Sequence, residues 1–285
     1  MVQSKESDPL RIAIIGAGAI AELGHLPGAR LSKGVEVTTI IDKNQQRAAE
    51  SADQFDIPHF GADFESLPDI ADAAVLCLPH HLHHPIAIDL LNRGMHLLVE
   101  KPMALTSAEC QEMIDVANRA ERFMAVSLMR RYFHCNQFLK KALDAKILGE
   151  IHQFEIFDGG AYSWPSASPF VLSKKHSGGG VLIGNGSHVM DSLIWLFGSP
   201  ESVECRTNSS IGMETDAEIE CRYQSGLRGF VELSRTRHLA NGIRVKGELG
   251  TISIPLFGSS AEIHLNGESV FLEGTAKIQK GEPDQ

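Results

Sequence analysis

The chain has 285 residues, 43% of them hydrophobic and 22% charged, which suits two folded domains better than one small core. A formal net charge of −10, a pI near 5.7 and 26 scattered basic residues argue against a nucleic-acid partner held through its phosphates. The five cysteines, Cys77, Cys110, Cys135, Cys205 and Cys221, form no CxxC pair, the start MVQSKESDPLR has no apolar signal segment, and no run reaches the ~18 apolar residues of a membrane span; a cytoplasmic protein without a membrane partner is expected.

Ile12–Ile15 is a continuous apolar run, as a strand buried on both faces requires. A helix is predicted from about Ala19, a strand over Val35–Ile41 and a helix over Gln45–Gln54. Strand Ala74–Leu78 and helix His83–Asn92 follow, with Gly94 as the helix stop. Next come strand Met95–Val99, ended by Pro102, helix Ser107–Glu121 with Thr106 as N-cap, and strand Phe123–Leu128. Strand and helix alternate throughout, which predicts a doubly wound parallel sheet of the Rossmann type over residues 1–130.

Residues 131–285 read differently. A helix near Asn136–Lys146, a strand over Glu150–Phe157 and a helix over Ser187–Phe197 precede strand-like runs at Val203–Thr207, Ala217–Tyr223, Leu227–Ser234, Ile243–Glu248, Thr251–Ile254 and Glu262–Leu265. Ser225-Gly226, Asn241-Gly242, Leu249-Gly250 and Asn266-Gly267 separate them as turn signals, so a largely antiparallel sheet of hairpins is expected in a second, α+β domain. No flexible linker marks the boundary near residue 130.

The strongest local motif is Gly16-Ala17-Gly18-Ala19-Ile20-Ala21, a GxGxxA after a buried strand and at the start of a helix. Its glycines permit a tight turn and let the backbone approach a pyrophosphate seated on the helix N-terminus, with Gly18, Ala19 and Ile20 supplying first-turn amides. Asp42 ends the second strand about 20 residues on, where a carboxylate binds a ribose hydroxyl. It favours NAD over NADP, although Lys43 and Arg47 beside it would tolerate a 2′-phosphate; a solvated helix start is the plainer reading of Arg47. Glu100-Lys101-Pro102 directly follows an apolar strand, which puts Lys101 at the sheet edge where such folds bind ligands.

Together with Pro79-His80-His81-Leu82-His83, Gly94-Met95-His96, Arg131-Tyr132, Leu148-Gly149-Glu150-Ile151, Gly178-Gly179-Gly180 leading to His188 and Asp191, and Lys246 to Thr251, these motifs resemble the Gfo/Idh/MocA family of glucose-fructose oxidoreductase and inositol dehydrogenase relatives, in order and over nearly the whole chain. The resemblance implies hydride transfer between NAD or NADP and a hydroxyl or ketone carbon of a sugar, sugar derivative or nucleotide sugar. It implies that Lys101 lies beside the nicotinamide and the reacting carbon, steadying charge on the substrate oxygen. Glu100 and Pro102 shape the loop beneath, Pro79, His80 and His83 wall the cofactor crevice, and Arg131 joins the cofactor set. His188 becomes the second catalytic residue, exchanging the hydroxyl proton, with Asp191 three residues on as an orienting partner. Asn185, Asp191 and the aromatic loop of Tyr162 and Trp164 are expected to meet substrate together with Lys101 and His188. His81 and His84 read as exposed loop or helix-start residues. Lys174, Lys175 and His176 suit a substrate phosphate or carboxylate, or a solvated loop. No metal site is expected, because the histidines lack ligand spacing. A homodimer or homotetramer is implied, since an antiparallel sheet needs its second face covered.

Two departures bear on activity. Many family members carry an aspartate four residues before the histidine, where this chain has Gly184, and they continue beyond the equivalent of Gln285, so the chain reads as short. A catalytically impaired dinucleotide-binding or regulatory homologue is therefore an open alternative, as is a nicotinamide-dependent glycosidase.

Overall fold

A computed structural model describes residues 8–63, 67–208 and 213–272. The chain divides into two compact units, Met1–Ser127 with Trp164–Gly178, and Leu128–Ser163 with Gly179–Gln285.

The first unit is built on six parallel strands, β1 (Leu10–Ile15), β2 (Val35–Ile41), β3 (His59–Gly61), β4 (Ala73–Leu76), β5 (His96–Val99) and β6 (Met124–Val126), in the order β3-β2-β1-β4-β5-β6. This is the Rossmann order, in which the chain reverses direction across the sheet between β1 and β4 and leaves a crevice at their C-terminal ends. The alternation of β1 explains its continuous apolar run. Ile12 and Ile14 pack with Ala21, Leu26 and Ile40 on one face, while Ala13 and Ile15 pack with Leu76, Leu90 and Met113 on the other.

Helix α1 (Leu26–Leu31) is preceded by a π-helical turn, Ala21–His25, which the sequence pattern did not announce. Helix α2 (Gln45–Gln54) is capped by Asn44, whose side chain accepts from the Arg47 amide. α3 (Leu67–Ile70) is a single turn, and α4 (His83–Asn92) spans the predicted residues. In α5 (Ser107–Arg119) the predicted N-cap Thr106 forms a capping box with Glu109. The helix stops before Glu121, which turns to φ 54°. Strand β3 carries no β-branched or alternating pattern and was not expected.

The second unit holds eight strands in the order β14-β13-β12-β11-β7-β10-β9-β8. These are β7 (Ile151–Gly159), β8 (Ser202–Thr207), β9 (Asp216–Arg222), β10 (Arg228–Ser234), β11 (Gly242–Gly247), β12 (Gly250–Ile254), β13 (Ala261–Leu265) and β14 (Glu268–Leu272). Hairpins form where Ser225-Gly226, Leu249-Gly250 and Asn266-Gly267 stand, the last with φ of 51° and 88°.

Asn241-Gly242 does not make a hairpin, because β10 and β11 lie on opposite sides of β7, and β10 pairs with β7 in parallel. The Asn241 side chain instead brackets Gly159, accepting from its amide at 2.6 Å and donating to its carbonyl at 2.8 Å, as a strand partner would. Helices α6 (His134–Asp144), α7 (Val181–Gly184) and α8 (Gly186–Phe197) cover one face. Phe154 on β7 is fully buried at the centre of that core, stacked on Phe197 of α8 at 4.1 Å. Its ring lies across Gly229, its partner on β10, where a Cβ would come within 2.1 Å of the ring. Among the described residues no helix is long and apolar enough to cross a membrane.

Candidate active site

In the first unit the chemistry gathers at the C-terminal edge of the parallel sheet. Gly16 leaves β1 at φ +102°, and a Cβ there would sit 2.3 Å from the Cys77 carbonyl oxygen, so the turn has room only for glycine. Gly18 presents the opposite case: its missing Cβ would meet only the Ala167 side chain at 4.0 Å, which leaves the backbone approachable. Ala19 and Ile20 open the helix, and first-turn amides have no carbonyl of their own helix to meet. Glycine turn, helix start and crevice together fit the pyrophosphate of a dinucleotide.

Asp42 anchors this turn. Its carboxylate accepts from the Ala17 amide at 3.0 Å and the Asn44 amide at 2.8 Å. Arg47 is not merely solvated: its guanidinium lies 3.4 Å from Asp42 because the first turn of α2 brings it back over the strand end. Lys43 beside it is exposed.

Glu100, 7% exposed, stands at the end of β5 and holds the lysine loop from beneath. One of its oxygens meets His25 Nε2 at 2.8 Å and the other accepts from the Lys101 amide at 3.1 Å. Burial works to raise its pKa, but hydrogen bonds from His25 and Ser127 and the nearby Lys101 charge win, and the carboxyl is held below its usual range. The π-helical turn therefore ties the glycine-loop helix to the Glu100-Lys101 loop through His25, a residue with no motif of its own. The Lys101–Pro102 peptide is cis.

The histidines of Pro79 to His84 divide by environment. Pro79 starts a short 3₁₀ turn, His80–Leu82. His80 Nδ1 lies 2.8 Å from the Ser177 carbonyl, and its ring meets Phe170 edge-on at 5.0 Å. His83 is wholly enclosed between the loops after β4 and β5, its ring nitrogens 2.9 Å from the Leu78 carbonyl and 2.8 Å from that of Pro102. It thus fixes both loops and has no surface left to wall a crevice. His81 is not a solvated loop residue either, since its ring packs 4.5 Å from that of His176. Burial first, then His176, lowers its pKa. His84 pairs with Glu112 at 2.9 Å. Residues 164–178, including Trp164 at 47% exposure, Lys174 and Lys175, belong to this same unit.

The second unit holds His188, Asn185, Asp191, Arg131 and Tyr162. His188, 8% exposed, lies in the first turn of α8. Asn185 donates to Asp158 at 3.1 Å, and Asp158 also accepts from buried Arg130 at 2.6 Å. Both oxygens of Asp191 accept from Arg131, with contacts of 2.9 and 3.1 Å and a shorter one to Nη2. Asp191 and Arg131 are thus paired with each other. The guanidinium of Arg235, at the end of β10, stands where the side chain of residue 184 would begin: a Cβ on Gly184 would fall 1.8 Å from its Nη2. Arg235 stacks over the Tyr162 ring at 4.9 Å.

Arg130, Asp158 and Arg235 carried no sequence signal. Ser234-Arg235-Thr236-Arg237 looks like any polar strand end, and Arg237 does pair with Glu232 at the surface. Among the described residues no three His, Cys, Asp or Glu side chains are grouped to hold a metal ion.

Sheet order, glycine turn and acidic strand end define a dinucleotide-binding fold of the Rossmann type in the first unit. The chain belongs to the Gfo/Idh/MocA family: residues 10–128 match the oxidoreductase family's NAD-binding Rossmann fold, and residues 136–253 match the GFO/IDH/MocA C-terminal domain. It is 27% identical over 221 residues to the D-glucoside 3-dehydrogenase of Escherichia coli K12, covering 75% of this chain and 62% of that one. Mouse trans-1,2-dihydrobenzene-1,2-diol dehydrogenase is 27% identical over 272 residues, covering 91% and 78%. In fold it is similar to a levoglucosan dehydrogenase solved with NADH and levoglucosan, at a TM-score of 0.83 and 22% identity, covering 93% of this chain and 79% of that one. A second structural relative is the Bordetella pertussis WlbA dehydrogenase with NADH and UDP-GlcNAcA, at 0.82 and 23%, covering 95% and 81%.

Proposed function

We propose that the chain is an NAD-dependent oxidoreductase that moves a hydride to or from a hydroxyl or ketone carbon of a sugar, sugar derivative or nucleotide sugar, with NADP the weaker coenzyme candidate. The observation that carries this is the Gly16 turn, closed to any side chain and anchored by Asp42, on the ligand-binding edge of a sheet in Rossmann order. The sugar class is supported by the relatives, which include D-glucoside and glucose-6-phosphate 3-dehydrogenases.

When bound, NAD supplies the hydride acceptor or donor. The chain does the rest. Gly16, Gly18, Ala19 and Ile20 would hold the pyrophosphate, and Asp42 would bind a ribose hydroxyl. Lys101 steadies negative charge as it develops on the substrate oxygen, its loop held in place by Glu100 and His83. Oxidation of CH–OH releases a proton as well as a hydride, and His188 takes that proton; in reduction it returns it. Tyr162, Trp164 and Asn185 contribute to sugar recognition. A homodimer or homotetramer remains part of the proposal.

One observation favours a second reading, a binding protein with weak turnover: position 184, where the resemblance implies an aspartate, is a glycine with the Arg235 guanidinium where a side chain would begin. The two separate on a single experiment. Titration with NADH followed by intrinsic fluorescence tests the coenzyme site, and a sugar panel followed at the nicotinamide absorbance band tests turnover. Binding with turnover supports the enzyme, binding without turnover the second reading, and no binding defeats both.

A further inference from the structure

We propose that Arg235 is an anion-binding residue of the substrate site, so that the sugar this chain takes carries a carboxylate or phosphate; this rests on the oxidoreductase function proposed above. Gly184 and Arg235 are a matched pair. The guanidinium Nη2 lies 1.8 Å, and Cζ 3.0 Å, from where a Cβ on residue 184 would be, so glycine there is what makes space for the arginine.

The other arginines of this unit near the site are already paired: Arg130 with Asp158, Arg131 with Asp191, and Arg237 with Glu232 and Asp216. Among the described residues no carboxylate or carbonyl accepts a hydrogen bond from the Arg235 guanidinium, and its buried Nε has no hydrogen-bond partner. Glu214 acts on it through its charge without a hydrogen bond, and Oε1 of that carboxylate accepts from the Gly180 and Leu182 amides. The Tyr162 ring beneath it orients the plane without neutralising it. A half-buried guanidinium left in this state is costly, and a bidentate oxyanion is the ligand its planar fork fits best.

The placement suits a substrate anion. Residue 185 keeps right-handed helical geometry, so residues 184 and 188 lie one helical turn apart on one face, with Cβ positions about 5–6 Å apart. An anion on Arg235 would hold its sugar about one turn from His188, which is the span from a sugar's charged substituent to a ring hydroxyl.

The test is calorimetric titration of the NADH-saturated protein with D-glucuronate, D-glucose 6-phosphate and D-glucose at equal ionic strength, repeated for Arg235→Met, Arg235→Lys and, as a surface control, Arg237→Met. One of the acidic sugars should bind at least tenfold tighter than glucose, and which one it is distinguishes carboxylate from phosphate. Arg235→Met should abolish that gap, Arg235→Lys should narrow it, and Arg237→Met should preserve it. Glucose binding as tightly as both acids, neither acid binding, or a gap unmoved by Arg235→Lys would overturn the proposal; the last readout stands even if Arg235→Met fails to fold. Binding is measured apart from turnover, so loss of the acid preference is separable from failure of the oxidoreductase function, which would show as absent NADH binding or absent reaction.

Discussion

At the scale of single residues, two glycines of the first unit make opposite demands. At Gly16 an added methyl meets a backbone carbonyl at 2.3 Å and a positive φ, neither of which a side-chain rotation relieves. Gly16→Ala should therefore displace the loop, costing about 1–3 kcal/mol in strain and weakening NADH binding roughly tenfold or more by fluorescence titration. Gly28 lies in α1, exposed, with nothing within 4 Å of its would-be Cβ. Gly28→Ala should leave NADH binding unchanged and raise unfolding free energy by about 0.5–1 kcal/mol in a urea titration. Equal effects of the two variants would mean that the turn is not shaped by steric exclusion. The GxGxxA pattern made Gly16 legible from sequence because the requirement is local. Arg235 was not legible, because what distinguishes it from Arg237 is a neighbour across the fold, Gly184.

Elements were legible to the degree that their cause was local. Alternating strands, the Thr106 cap and the Asn266-Gly267 hairpin follow from side chains within a few residues of one another. The parallel pairing of β7 with β10 and the His25–Glu100 contact made from the π-helical turn join residues about 75 apart in sequence, and no spacing reports them. The β7–β10 pairing also makes a testable claim about packing. Phe154 fills the groove over Gly229, stacked on Phe197, so Gly229→Ala forces the ring off a fully buried position. A loss of about 1–3 kcal/mol is expected from overpacking, read as a lower urea midpoint at constant slope. An unchanged midpoint would show that the ring has room to move.

For the whole molecule, acid should destabilise in two stages. His83 is enclosed, and burial lowers its pKa against the pull of the Pro102 and Leu78 carbonyls and the Glu100 charge; burial likewise lowers His81. A histidine depressed in the folded state stabilises fully above its unfolded pKa of about 6.5, and that contribution is lost as pH falls towards the folded value. Asp72, Glu100 and Asp216 are held low as carboxylates, so their contributions persist to about pH 4 and are lost below it. The thermal midpoint should thus fall between pH 7 and 5, and His83→Gln should flatten that first stage. A midpoint that rises on acidification would mean that the two carbonyls hold an imidazolium instead.

The proposed oxidoreductase function requires a dinucleotide on the Gly16 turn. Titrating the intact, folded chain with NADH should give saturable one-site binding that Gly16→Ala weakens and Gly28→Ala does not; a folded protein with no affinity for NADH or NADPH would contradict the assignment.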